Sequence, residues 1–342
     1  MISFECDYNN GAHPRVLQHL VETNNEQTLT YGFDIYSERA KKKIQEACGT
    51  DEAQVFFLTG STQTNATVID GMLRSYEAVI TVDTGHIAIH EAGAVEASGH
   101  KVIALQPHDG KLLSADLAAY MEWFVNDESR DHVAQPGMVY ISFPTELGTL
   151  YTAQELEDIY RICRQYDLPL FIDGARMGYG LAASADITLP WLCRHCDAFY
   201  IGGTKVGALC GEAVVFTHNN APRQFFSIIK QHGALLAKGR VCGVQFDELF
   251  TDGLYARIGR VAIDAADRIR ALLVECGYEL AIDSPTNQVF VVLDDAQLAA
   301  LSECVEMGFI ENLPDGRMVL RFATSWATRL EDVDALRDVL VP

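Results

Sequence analysis

Basic charge is what this chain has least of. Against 47 Asp and Glu it sets 26 Lys and Arg, a formal net charge of −21 and a pI of about 4.8. Lys41-Lys42-Lys43 is the one basic run, and a solvated helix face accounts for it. Nucleic acid and anionic membrane surfaces want a basic face, so both are excluded as partners, and the surplus acid serves solubility. Long apolar runs are missing too. No segment approaches the length that crosses a bilayer, and the opening Met1-Ile-Ser-Phe-Glu-Cys-Asp7 has no basic stretch followed by an apolar one. A protein without leader or membrane anchor is the expectation. Nine cysteines make an odd, scattered set with no disulfide framework, in a chain of 342 residues that needs no staples. Reduced thiols in the cytoplasm follow as the simpler reading. Internal repeats and low-complexity segments are also absent.

What is present is an alternation of short apolar runs and helical patterns. Strands are expected at Val55–Leu58, Ala78–Val82, Lys101–Leu105, Val139–Ile141, Pro169–Ile172, Ala198–Ile201 and Ala213–Phe216. Helices fill the gaps: Ser37–Cys48 ending at Gly49, one after Gly60-Ser-Thr62, one from His86 through Ala97, Ser114–Val125 with Ser114 as N-cap, and one opened by the capping box Thr152-Ala-Gln-Glu155. This predicts an α/β fold, a seven-stranded mostly parallel sheet with helices on both faces. The texture changes after Asn219. Residues 223–275 read as helical, and the tail alternates strands (Val289–Leu293, Met318–Phe322) with helices (Ala296–Met307, Glu331–Leu340). The chain is longer than one core usually supports. The expected division is an arm over 1–35, a large domain over 36–245 and a small α+β domain over 246–342.

Two apolar runs end abruptly in chemistry-bearing residues: Leu170-Phe-Ile172 at Asp173-Gly-Ala-Arg176, and Phe199-Tyr-Ile201 at Gly202-Gly-Thr-Lys205. Strands of an open α/β sheet present their carboxyl ends to a ligand crevice, so Asp173, Arg176 and Lys205 are expected at one rim. A lysine able to form a Schiff base beside a carboxylate for a pyridine nitrogen is what pyridoxal phosphate (PLP) chemistry requires. Gly202-Gly203 would let the backbone approach a ligand, and Thr204 would contact phosphate. Gly60-Ser61-Thr62, between a strand and a helix, forms an anion site at a helix N-terminus. His86, at another strand end, is placed to stack on a flat ring. Each of these alone has a plainer reading: a turn lysine, a capping Asp, an ordinary salt-bridge Arg, a packed His. Their convergence on strand ends favours the site.

Other patterns carry less. Gly178-Tyr-Gly180-Leu-Ala-Ala183 matches a dinucleotide fingerprint, but Asp173-Gly-Ala-Arg176 separates it from its strand and no acidic partner follows. Cys193-Arg-His-Cys196 has no second pair, so a metal site is not expected.

Phe171-Ile-Asp-Gly-Ala-Arg176, Tyr200-Ile-Gly-Gly-Thr-Lys205, His86-Ile…His-Glu91-Ala-Gly93 and Val319-Leu-Arg-Phe-Ala-Thr-Ser-Trp326 together resemble the threonine aldolases, PLP enzymes of the aspartate-aminotransferase (type I) fold in the β-eliminating lyase group. The resemblance implies that Lys205 carries PLP, Asp173 pairs with its ring nitrogen, His86 stacks on it, and Ser61 and Thr62 hold its phosphate. It implies that Arg321 with Arg176 clamps the substrate carboxylate, that Tyr31 belongs to an active-site loop, and that Lys238 or Arg240 reaches phosphate from a neighbouring subunit of a homodimer or homotetramer. The chain departs from the family pattern in having Cys6 for a Ser beside Asp7, and Glu146 where a His near the substrate hydroxyl is usual. The implied reaction is cleavage of a β-hydroxy amino acid, L-threonine or L-allo-threonine, to glycine and an aldehyde, with His86, Glu146 or a water as hydroxyl base. The same parts admit β-elimination, racemisation or transamination. A non-catalytic PLP-binding scaffold and a nicotinamide oxidoreductase rank well below.

Overall fold

The computed structural model describes residues 1–340. The chain opens with β1 (Ile2–Phe4) and then lays down β2 (Gln54–Leu58), β3 (Glu77–Val82), β4 (Lys101–Leu105), β5 (Gln135–Ser142), β6 (Leu170–Asp173), β7 (Ala198–Gly202) and β8 (Glu212–Phe216). β2 through β8 form a seven-stranded sheet in the order β2-β8-β7-β6-β5-β3-β4. Every neighbouring pair is parallel except the two made by β8, which runs against both β7 and β2. The expected fold class holds, with one reversed strand.

Side-chain alternation explains the helices on both faces. Along β5, Val139 and Ile141 point into one apolar cluster while Met138 and Tyr140 point into the other; β6 and β7 divide in the same way, with Ile172, Phe199 and Ile201 opposite Phe171, Ala198 and Tyr200. A strand covered on both faces has no polar side, which is why these segments read as unbroken apolar runs. Helix ends follow local chemistry. Asp34 caps the Ile35–Cys48 helix through the N–H groups of Tyr36 and Ser37, and Gly49 closes it at φ 70°. The Thr152–Glu155 capping box forms as expected.

The rest of the chain adds β9 (Glu279–Leu280), β10 (Gln288–Leu293), β11 (Val305–Asn312) and β12 (Met318–Ala323), joined with β1 in a second sheet of order β1-β11-β12-β10-β9. Ile2–Phe4 pairs in parallel with Val305–Met307, so the N-terminal segment is tied to the C-terminal sheet. The 22-residue helix Leu254–Glu275 links the two sheets, its early apolar face (Leu254, Ile258, Ala262) in the large core and its later one (Ile269, Leu273) in the small core.

Three local expectations are corrected. The helix from His86 breaks into His86–Ile89 and Ala94–Ala97, because Ala92 (φ 51°) and Gly93 (φ 74°) turn left-handed between them. Ser114 is the first helical residue rather than the cap, and Leu113 holds the cap position without a side-chain bond. The helix expected over Ala296–Met307 ends at Ser302, leaving Val305 onward to pair as β11.

Candidate active site

β6 and β7 end side by side, and their backbones touch. The Gly202 N–H donates to the Gly174 carbonyl at 2.9 Å, and a Cβ on Gly174 would sit 1.9 Å from the Tyr200 oxygen. A Cβ on Gly203 would sit 2.5 Å from the Gly211 carbonyl oxygen. These glycines therefore serve contact of chain with chain, not the approach of a ligand as the sequence was read. Their effect is to bring Asp173 and Lys205 into the wall of one cavity of about 770 Å³, which Ser61, Thr62, His86, Glu146, Arg176 and Arg321 also line.

Asp173 lies at the floor, 4% exposed. Its Oδ1 accepts from Tyr200 Oη (2.5 Å) and the Ala175 N–H (2.9 Å); its Oδ2 accepts from Tyr140 Oη (2.5 Å) and Asn65 Nδ2 (2.9 Å). Burial works to raise its pKa, but the charge of His86 and this set of donors outweigh it and hold the carboxyl ionised. Asn65 also donates to Glu91 Oε1 at 2.7 Å, and that oxygen bonds His86 Nδ1 at 2.7 Å. Burial opposes charging of His86, yet the Glu91 bond and the Asp173 charge raise its pKa. The His86 backbone N–H and Ser142 Oγ donate to Glu146 Oε1 at 2.9 and 2.6 Å. Burial, then Asp173, raises the Glu146 pKa.

Lys205 stands on the turn after β7. Burial and then the Arg176 charge lower its pKa to about 8, so a reactive neutral fraction exists near neutral pH. Arg176 forks onto Asp7, Nε to Oδ2 at 2.7 Å and Nη2 to Oδ1 at 3.0 Å. Burial would raise the Asp7 pKa, but Arg176 and Lys205 hold it at about 2. Arg321 gives Nη1 to Gln288 Oε1 (2.9 Å), while its Nε is buried without a partner. Arg321 lines the cavity, and its guanidinium is a group there suited to a carboxylate.

The helix Ser61–Met72 points its N-terminus at the cavity. Gly60 caps it with no side-chain bond, leaving first-turn N–H groups for an anion. The Ser61 and Thr204 hydroxyls donate to Glu212 Oε1 at 3.0 and 2.7 Å, and the Gly203 N–H donates to Oε2 at 2.9 Å. Glu212 is fully buried, and burial pushes its pKa up to about 7 against those bonds.

Not every residue expected at the site lines it. Gly60, Thr204, Cys6 and Asp7 sit behind the wall. Tyr31 stands apart, its ring under Lys230 Nζ at 4.7 Å in a separate apolar depression, and Lys238 is exposed two residues before the helix Arg240–Leu249. Arg240 turns to the carbonyls of Thr23 and Glu26. Gly178 and Gly180 lie in the helix Met177–Ala183, where Gly178 packs against Gly259 of the long helix, so the fingerprint spacing is helix packing. Among the described residues no cluster of metal-ligating side chains forms. Asn65, Glu91, Tyr140, Tyr200 and Glu212 were missed by sequence reasoning. Glu212 is the lone charge opening an apolar run, a signal that could have found it.

The sequence profile of the beta-eliminating lyase family matches residues 14–304. The chain belongs to that family. Among curated relatives, the low specificity L-threonine aldolase of Pseudomonas aeruginosa is 29% identical over 98% of this chain and 96% of its own. That of Pseudomonas sp. is 29% identical over 87% and 86%. Among solved structures, the threonine aldolase of Leishmania major superposes with a TM-score of 0.96 at 39% identity, covering 99% of this chain and 98% of that one. A serine palmitoyltransferase from Sphingomonas wittichii shares the fold, with a TM-score of 0.69 at 15% identity. The fold of this family member is thus that of the type I PLP-dependent enzymes, and the residues present fit that cofactor. An ionised floor carboxylate suits a protonated ring nitrogen, a lysine of lowered pKa suits an aldehyde, and uncapped helix N–H groups suit a phosphate.

Proposed function

We propose that this protein is a PLP-dependent carbon–carbon lyase that cleaves L-threonine or L-allo-threonine to glycine and acetaldehyde. The observation that carries the reading is the convergence of Asp173, Lys205 and Arg321 on one cavity. The family relationship supports it over the whole length. When bound, pyridoxal phosphate supplies an aldehyde for amines and a ring that withdraws electrons from the substrate's Cα.

The protein's own residues decide what happens there. Asp173 holds the ring nitrogen, His86 gives its ring, locked by Glu91, as a stacking surface, and Ser61 with Thr62 and the helix N-terminus holds phosphate. Lys205 is the amine that would carry the cofactor. Arg321 binds the substrate carboxylate, with Arg176 behind it already neutralised by Asp7. Fixing the carboxylate would fix the orientation of the substrate's Cα bonds in the cavity, and so which of them is placed to react. Glu146 is the hydroxyl base: its pKa is raised, Oε1 is held by Ser142 and His86, and Oε2 is left without a protein partner among the described residues.

The protein works as a homodimer or homotetramer in the cytoplasm. Exposed Tyr31, Phe33 and Phe226 line one apolar depression near Lys238, suited to a second copy whose cavity Tyr31 and Lys238 complete. Unpaired cysteines support a reducing compartment. The test is product analysis with L-threonine, L-allo-threonine and L-serine. Acetaldehyde and glycine in equal amounts from the threonines are expected. Oxo acid without acetaldehyde would replace the aldolase reading with β-elimination.

A further inference from the structure

Glu212 has a chemical conflict with its surroundings. It is a fully buried carboxylate at the start of β8, and it takes the hydrogen of Ser61, which lines the cavity at the phosphate position, and that of Thr204 behind the wall. With Ser61 donating to Oε1, its oxygen presents only lone pairs to the cavity side, while the Thr204 oxygen accepts from the Gly211 N–H. A phosphate dianion also has only acceptors to offer. Lone pairs would face lone pairs, and two negative groups would share a water-poor space, where one of them is driven to neutralise.

The groups packed against Glu212 offer no other release. From the turn after β7 come Lys205 and the Gly203 N–H, which stays on Oε2. Tyr200 of β7 gives its hydrogen to Asp173 and faces Ser61 with its oxygen. Tyr255 of the long helix gives its hydrogen to the Gly202 carbonyl at 2.8 Å, and Cys242 of the helix Arg240–Leu249 turns its thiol to the Leu58 carbonyl at 3.8 Å. Lys205 is the one cation among them, and the proposed chemistry commits its amine to the cofactor's aldehyde, which removes that compensation when the site is loaded.

We propose that seating a phosphate group at Ser61 draws one proton from solvent onto Glu212, whose new O–H donates to a neighbouring hydroxyl while the Ser61 hydrogen turns to a phosphate oxygen. The balance is simple: one proton enters, no covalent bond beyond that O–H forms, and the carboxylate becomes the first donor of a relay ending on phosphate. Burial has already brought Glu212 to a pKa of about 7, so the added dianion needs to raise it only modestly for uptake near pH 8. Glu212 is a positioning residue on this account, acting through the Ser61 hydroxyl. The inference rests on the proposed placement of the PLP phosphate.

The test uses pyridoxamine 5′-phosphate and pyridoxamine, which carry no aldehyde and so leave Lys205 unreacted. Both are titrated calorimetrically into the full-length, cofactor-stripped protein near pH 8, in two buffers of different ionisation enthalpy. Wild type is expected to take up about one more proton with the phosphate ester than Glu212→Gln does, and its affinity to fall up to about tenfold between about pH 7.5 and about pH 8.5. Pyridoxamine is expected to show neither effect. Equal proton uptake by wild type and Glu212→Gln would overturn the proposal. So would a wild-type affinity for the ester that is flat over that range, a result that does not depend on the variant folding. If wild type binds pyridoxamine 5′-phosphate no better than pyridoxamine, the phosphate placement fails and the inference fails with it.

Discussion

Two buried carboxylates serve the cavity, Asp173 in its floor and Glu212 behind Ser61 at the helix N-terminus, and the two behave oppositely. Both are almost without solvent. Asp173 accepts four hydrogen bonds and sits in the field of His86, and its pKa is lowered. Glu212 accepts three, and its pKa is raised to about 7. Burial penalises both charges, so what separates them is the supply of donors and nearby positive charge. The floor is built to keep a fixed charge under an aromatic ring. The wall behind Ser61 is built to let a charge disappear.

Changing the fixed charge should have the largest effect. Asp173→Asn keeps the shape and removes the anion, and kcat/KM for L-threonine should fall about 10²- to 10³-fold, as for other losses of a preorganised charge. Steady-state kinetics at saturating PLP measures it; a drop of less than about threefold would erase the distinction between the two carboxylates.

The next test is stability against pH, where raised and lowered carboxylates have opposite signs. Folded Glu212 holds its proton to about pH 7, above the unfolded value near 4.5. The stability from this group is full below about pH 4.5 and is lost as pH rises to about 7, roughly 3 kcal/mol in all. Urea unfolding of the cofactor-free protein should therefore show wild type losing ground to Glu212→Gln by about that amount across this interval.

Asp7 gives the smaller, reverse signature. Its folded pKa of about 2 lies below the ordinary aspartate value of 3.8. Its contribution is full above about pH 4 and disappears as pH falls toward about 2, near 2 kcal/mol. Asp7→Asn should destabilise the protein at neutral pH, because the Arg176 guanidinium is left without its anion, and the gap to wild type should narrow in acid. Urea unfolding across that acid range checks the narrowing.

How much of this was legible in the sequence follows the same physics. Asp173 and Lys205 stood out because each ends an apolar run, and a strand buried on both faces leaves a polar residue nowhere to sit but at its end. All seven strands of the large sheet were found for that reason. Glu212 escaped notice because it begins a strand, where a charge reads as loop. β8 runs opposite to its neighbours, so its first residue and the last of β7 meet at the same rim. Asn65, Tyr140 and Tyr200 were hidden inside amphipathic or apolar segments, where nothing in the pattern separates a packing residue from a donor. β11 was lost in a helical reading because its exposed edge carries Glu306 and Glu311 among apolar residues. Tyr31 and Lys238 were placed by resemblance alone, and in the single chain they lie away from the cavity.

The central claim is that the Lys205 amine carries the cofactor above an anionic floor. Borohydride reduction of the PLP-loaded protein, followed by peptide mass mapping, tests it directly. The account predicts one phosphopyridoxyl adduct, on Lys205, absent from Lys205→Ala. A stoichiometric adduct on another lysine, with Lys205 unmodified, would contradict it.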